Sequence, residues 1–230
     1  MNDLILSSAT FGVVISFLGF AIGTALKKRF KLAIFNPLLI AILLVIAVLK
    51  LFHIDYSSYN ASAKYLSYLL TPATVCLAVP LYAQLEKLRQ NLPAILCALT
   101  VGVLTSLVSV LTLCFLFRLS HQEYVTLLPK SVTSAIGMGV SEELGGYSAI
   151  TVAVIILSGI FGNVSGDLVC KMFRITEPIA KGLGMGAASH AIGTARAMEW
   201  GELEGTMSSL AIVVSGLLTV IGASIFANFL

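Results

Sequence analysis

Between Gly182 and Met198 the chain reads GLGMGAASHAIGTARAM, a stretch dense in small residues that also holds a histidine and an arginine. On a helix, Gly182, Gly186, Ser189, Gly193 and Arg196 follow at spacings of 4, 3, 4 and 3 and share one face, with His190 and Thr194 beside it. A face so bare of side chains has two uses. It lets a second backbone pack closely, or it lets a small polar solute reach a guanidinium whose planar fork suits a carboxylate. Ionisable groups at membrane depth are costly and tend to line pathways, so Arg196 is expected to bind an anion, supported by Ser131, Thr133 and Ser189. His190 suits proton coupling, because an ordinary pKa of about 6.5 lets small changes of environment switch its charge. An intramembrane hydrolase with Ser189 or Ser131 as nucleophile is the enzymatic alternative. It is set aside, since adjacent Ser189 and His190 lie about 100° apart on a helix and do not share a hydrogen-bonding face.

A second polar stretch, LLPKSVTSAIGMGVSEELGG at residues 127–146, carries Lys130, Ser131 and Thr133 and has few large apolar side chains, so it is expected to avoid lipid. Its start, PKSVTSAIGM from Pro129, shares the order Pro, any, Ser or Thr, Val, any, any, Ala, aliphatic, Pro or Gly, large aliphatic with PATVCLAVPL from Pro72. Thr74 thereby matches Ser131. A looser echo places Ala191, Ile192 and Gly193 after Ala135, Ile136 and Gly137. Such pairs are a sign of internal duplication, and broken helices at corresponding positions of repeats are where secondary transporters bind substrate. The segments around Pro72 and Pro129 are therefore expected to be discontinuous or re-entrant, and to meet Gly182–Met198 near the bilayer midplane.

The elements that must hold these residues are membrane helices. The chain has 230 residues, 58% of them hydrophobic and only 11% charged, against roughly 25% charged in soluble domains. At about 20 residues per crossing this makes an all-α polytopic membrane protein of about seven or eight spanning or re-entrant helices, one transmembrane domain over residues 1–230. The net charge of +3 comes from residues at segment ends. No basic run is interleaved with aromatics, so nucleic acid is not an expected partner. Cys76, Cys97, Cys114 and Cys170 lie in apolar stretches without metal or redox spacing and are expected to be free thiols; no metal or cofactor is expected.

In chain order, residues 5–26 are expected to span, followed by Lys27, Lys28, Arg29 and Lys31, which place that end in the cytoplasm and the N-terminus outside. The first helix reads as retained, since Asn2 and Asp3 precede it in place of a basic region. Residues 33–52 return, His53–Lys64 reads as an external loop, and the Pro72–Pro80 segment leads to a surface stretch at Gln84–Asn91. Residues 94–117 span, with Thr105, Ser109 and Thr112 expected to bond their own backbone. Residues 147–170 span, with Asp167 expected to pair with Lys171 at a helix end and a proton-relay role as its alternative. Lys171, Arg174 and Lys181 argue that the next loop is cytoplasmic, which requires residues 127–146 to re-enter. An acidic patch at Glu199, Glu202 and Glu204 precedes the last span, 207–230.

NPLL from Asn36, PATVCLAVPLY from Pro72, LPKSVT from Leu128, the pair Gly145 and Gly146, ASHAIGTAR from Ala188 to Arg196, and Glu204, Gly205, Ser208, Ser209 and Leu210 together resemble the LrgB/CidB family over nearly the whole chain. That is the larger component of bacterial holin/antiholin-like pairs, with the plastid glycolate/glycerate transporter as a relative. The resemblance implies two roles: control of murein hydrolase activity and lysis beside a small LrgA/CidA-like membrane partner, and transport of small carboxylates such as pyruvate or glycolate. It implies a bacterial plasma-membrane location and a non-enzymatic role. A homodimer is expected. The expected substrate contacts are Arg196, Ser189, His190, Thr194, Ser131, Thr133, Lys130 and Thr74, with His190 and Asp167 for proton coupling. The alternative is an antiholin-like regulator without transport of its own.

Overall fold

The computed structural model describes residues 10–30, 37–69, 72, 82 and 85–230. Thr74, Cys76 and nearly all of the Pro72–Pro80 segment lie outside the described residues. The described chain is all helical and falls into two compact units, Met1–Cys76 and Leu77–Leu230, each taken by itself below.

The first unit holds α1 (Phe11–Phe30), α2 (Pro37–Leu51) and α3 (Tyr56–Ser67). α1 is long and apolar enough to cross a membrane, and its basic residues Lys27, Lys28 and Arg29 fill its last turn. α2 lies antiparallel to it. A Cβ at Gly19 would lie 3.2 Å from Ala41 Cα, and one at Gly23 only 2.7 Å from Pro37 Cα, so the two backbones meet where side chains are missing. α3 corrects an expectation, because residues 56–67 are a helix where the sequence reads as an external loop. Its composition is polar, but Ser58 and Ser62 are buried one turn apart on one face. Ser62 Oγ accepts a hydrogen bond from Gly12 N at 2.7 Å, satisfying one of the first N–H groups of α1 that has no partner within its own helix.

The second unit holds α4 (Leu85–Gln90), α5 (Leu92–Leu116), α6 (His121–Leu127), α7 (Ser134–Glu143), α8 (Ser148–Met172), α9 (Pro178–Trp200) and α10 (Glu202–Phe226). α5, α8 and α10 are its three candidate spans. α5 and α10 run parallel: Ile95 and Leu99 pack with Met207 and Ala211, Leu107 meets Gly222, and Val110 and Cys114 pack with Ala223 and Ala227. Thr105, Ser109 and Thr112 each bond the carbonyl four residues back, as the sequence predicts. Cys97, Cys114 and Cys170 are free thiols.

Between α5 and α8 the chain makes a hairpin that cannot cross a bilayer. α6 has 7 residues and α7 has 10, about 10 and 15 Å of helix against a hydrocarbon core of roughly 30 Å. Pro129, which donates no hydrogen bond, lies in the tip at residues 128–133, and Thr133 caps α7. Ser120 and Glu123 close α6 at its start with a capping box. The two ends of the hairpin are tied together. Tyr147 N donates to Thr126 Oγ1 at 2.8 Å, the Thr151 hydroxyl lies 2.8 Å from both Thr126 O and Ser141 Oγ, and Gly146 N donates to Ser141 O at 2.7 Å. α7 then runs antiparallel to α8, Ser141 beside Thr151 and Gly137 beside Ile155.

α9 is a second hairpin, inserted from the opposite end. It breaks at His190, whose φ of 42° and ψ of −138° are not helical. Residues 178–189 run antiparallel to α8, with Met185 at Gly166 and Ser189 at Gly162; residues 191–200 run back, with Asn163 Nδ2 donating to Ile192 O at 2.8 Å and Trp200 reaching Gly166. Arms of about 18 and 15 Å are again too short to span. The small-residue face read as continuous is thus divided between two arms. Gly182 and Gly186 lie under the α10 backbone, where added Cβ atoms would be 2.4 Å from Glu204 O and 2.2 Å from Ser208 O. Close helix packing, not solute access, uses that part of the face.

Candidate functional site

A cavity of about 670 Å³ lies between α5 and the first arm of α9. One end is marked by Asn91 and Glu177, the walls include Ala98, Gly102 and Gly184, and the other end reaches Ser106, Lys130 and Ser131 at the tip of the first hairpin. Lys130 Nζ donates to Ser131 Oγ at 2.9 Å, and Ser131 Oγ lies 3.3 Å from Ser106 Oγ. An ammonium has three N–H donors, so two remain for a ligand. Among the described residues no carboxylate lies within ion-pairing distance of Lys130. Ser106 stands 14 residues beyond Leu92 in the 25-residue α5, about 21 Å along a helix of roughly 36 Å. A half-buried cation therefore sits near the middle of a membrane-length helix.

The tip of the second hairpin is closed. His190 is buried, and its Nε2 lies 3.0 Å from Ile155 O, an oxygen that only accepts, so Nε2 carries the proton. Thr194 Oγ1 lies 3.0 Å from His190 O and 2.7 Å from Ser208 Oγ, which links the broken backbone to α10. Ser189 is buried against Gly162. A non-glycine residue at positive φ costs of order 1–3 kcal/mol, so the packing around His190 overdetermines its strained backbone.

Arg196 does not reach the cavity. Its guanidinium is held by the carboxylates of Asp167 and Glu199, and Trp200 Nε1 donates to the other oxygen of Asp167 at 2.8 Å. Asp167 pairs with this arginine from α8, against which the returning arm packs, and this corrects the expected helix-end pair with Lys171. With the side chains of Arg196, Asp167 and Glu199 22%, 37% and 48% exposed, water screens the pairs, and each contributes about 1 kcal/mol or less. Arg196→Lys is therefore expected to lower stability in detergent by less than about 1 kcal/mol and to leave carboxylate binding unchanged. Loss of binding at unchanged melting temperature returns Arg196 to the binding site.

Of the residues singled out in the sequence, the structure brings Lys130 and Ser131 together in the cavity. Thr133 is used as a helix cap, Ser189, His190 and Thr194 build the second tip, and Arg196 with Asp167 fastens its returning arm. Ser106 was not singled out; its place one position after Thr105 on α5 was the available signal.

The chain matches the LrgB-like family over residues 16–229. It is 38% identical over 221 residues to the antiholin-like protein LrgB of Bacillus mycoides, covering 96% of each chain. The proteins of the same description from Bacillus cereus and Bacillus anthracis match equally, at 38% over 221 residues. No solved structure matches the chain. A match that takes in both hairpins and all three long helices of the second unit, at this identity over nearly the full length, establishes the chain as a member of the LrgB-like family.

Proposed function

We propose that the protein transports small monocarboxylates across the bacterial plasma membrane, with Lys130 and Ser131 as the anion contacts and His190 as the proton-coupling residue. One observation carries the reading. Two half-length hairpins enter from opposite ends of the same unit, and the tip of one presents to a cavity a cation that has no carboxylate partner among the described residues. Broken helices at membrane depth put free backbone and polar groups where a solute must be released from water, which a regulator or a simple pore does not require. A lysine at helix centre costs about 2.5–3.5 kcal/mol on insertion scales, and an anionic ligand offsets part of that cost.

In this proposal the chain forms one membrane domain of about seven or eight spanning or re-entrant segments, with α1, α2, α5, the first hairpin, α8, the second hairpin and α10 among them. The end of the second unit that carries Lys87, Arg89, Lys171, Arg174 and Lys181 is cytoplasmic, as is the end of α1 with Lys27–Arg29, leaving the N-terminus outside. A homodimer is the proposed assembly, and the protein is not an enzyme. Purified protein in liposomes should take up labelled pyruvate or glycolate, faster with an inward proton gradient. A cysteine at Arg174 should react with an impermeant reagent from the cytoplasmic side; reaction from outside overturns the orientation. The relatives are named antiholin-like, which favours a second reading, an antiholin-like regulator; we propose for it the control of murein hydrolase activity through a small LrgA/CidA-like membrane partner that the resemblance implies. Absence of uptake, together with co-purification of such a partner, selects it.

A further inference from the structure

The cavity is much longer than a two- or three-carbon acid requires, and its walls are not uniform. Around Lys130 the lining carries the hydroxyls of Ser106 and Ser131, whereas towards Asn91 it becomes Gly102, Leu99, Ala98, Leu183 and Gly184. Gly102 stands one helical turn before Ser106, and Leu183 packs with Ile95 and Leu99, which places Gly184 on the facing arm about one turn further towards Asn91. A Cβ added at Gly102 or at Gly184 would meet no atom within 4 Å, although most helical glycines of this unit are crowded. These two glycines face open space inside the cavity wall.

We infer that the cavity selects aliphatic monocarboxylates by tail length, carboxylate on Lys130 and tail along Gly102 and Gly184, and that these two glycines set the limit. The inference rests on the transport reading for its site but names a substrate class that the reading leaves open. Charge fixes the head group. One cation compensates one carboxylate, and a second carboxylate would lie unpaired among Leu99, Leu183 and Ala98, where an isolated charge is strongly disfavoured. Geometry fixes the tail. A carboxylate oxygen sits about 2.8 Å from an ammonium nitrogen. An extended chain advances about 1.3 Å per carbon, so a tail of four or five carbons covers the roughly 6 Å turn between Ser106 and Gly102. Acetate and glycolate fill only the polar end; valerate and hexanoate also bury their tails against the apolar wall.

The test measures equilibrium binding of labelled hexanoate to the purified protein, alongside labelled acetate flux into proteoliposomes with acetate, butyrate, hexanoate and adipate as competitors. Affinity should rise from acetate to hexanoate by about tenfold or more, since each buried methylene adds favourable transfer free energy, and adipate should compete poorly. Gly102→Leu, a change that favours helix, should weaken hexanoate by about tenfold or more while acetate stays within about twofold, and Gly184→Leu, a turn further along the wall, should weaken hexanoate less than Gly102→Leu does. Gly102→Ala and Gly184→Ala should act in the same direction with smaller effect, and gel-filtration profiles report that each variant is folded. Affinity independent of tail length, equal competition by adipate, or equal loss of acetate and hexanoate in the leucine variants overturns the inference. Hexanoate binding without flux removes the transport reading and keeps this assignment; acetate flux without tail preference does the reverse.

Discussion

Lys130→Met is expected to reduce carboxylate uptake on the order of 10²-fold while the protein still purifies as folded monomer or oligomer. Removing one partner of a desolvated charge pair costs about 2–5 kcal/mol, and a factor of ten corresponds to about 1.4 kcal/mol. The direction of the accompanying stability change separates binding from architecture. The Lys130 ammonium donates to Ser131 and has no carboxylate partner among the described residues, so deleting its charge strands no anion there. The empty protein should lose little stability, or gain some, because an uncompensated cation at membrane depth is removed. Lys130→Arg should retain part of the uptake, since the charge remains while the compact ammonium is replaced by a wider fork. If Lys130→Met transports normally, or if it unfolds, the cation is not the substrate contact.

How much of this arrangement could be read beforehand differs from residue to residue. The break at Pro129 was legible because proline supplies no N–H and Pro-Lys-Ser interrupts the apolar pattern; the charges at Lys171, Arg174 and Lys181 then required that segment to re-enter. The tip at His190 was not legible. Ala-Ser-His-Ala-Ile-Gly holds no proline and its local spacing is helical, so only contacts made elsewhere, at Gly159, Gly162 and Ile155, force the backbone out of the helix. The echo of Ala135, Ile136 and Gly137 in Ala191, Ile192 and Gly193 was visible, and in the fold both triplets open the returning arm of a hairpin. Its meaning depended on seeing both turns. Arg196 was chosen over Lys130 because its fork suits a carboxylate, but the chain supplies those carboxylates itself, from Asp167 on α8 and Glu199 one turn on. Sequence spacing finds the second partner and not the first. α3 was missed for a related reason: polarity signalled a loop, whereas its buried Ser58 and Ser62 form a small helical face that only a neighbouring helix makes useful.

Gly162→Ala is expected to destabilise the protein by about 2 kcal/mol, within the range for overpacking a filled interior, and to stop transport, although it adds a single methyl group. The new Cβ would lie 1.7 Å from Ser189 Oγ and 2.8 Å from Ser189 Cβ, and the hairpin tip has nowhere to go. Its other contacts are as close, since a Cβ at Gly159 would come within 2.8 Å of the His190 ring. The tip must therefore lift from α8, which lengthens the contact of His190 Nε2 with Ile155 O and releases the backbone that His190 holds at φ 42°. Ser189→Gly removes both atoms that clash, so the double variant should recover more than about 1 kcal/mol of the loss, a coupling within the range found for residues in direct contact. Ser189→Gly alone gives the reference for that cycle and should cost less than Gly162→Ala. Uptake measured on the same four proteins separates seating from chemistry. If the second tip must rest against α8 to close one side of the pathway, transport returns with stability in the double variant. Gly162→Ala that is stable and active would mean that the hairpin does not seat on α8 at Gly162, and the opposed-hairpin account of the site would fall with it.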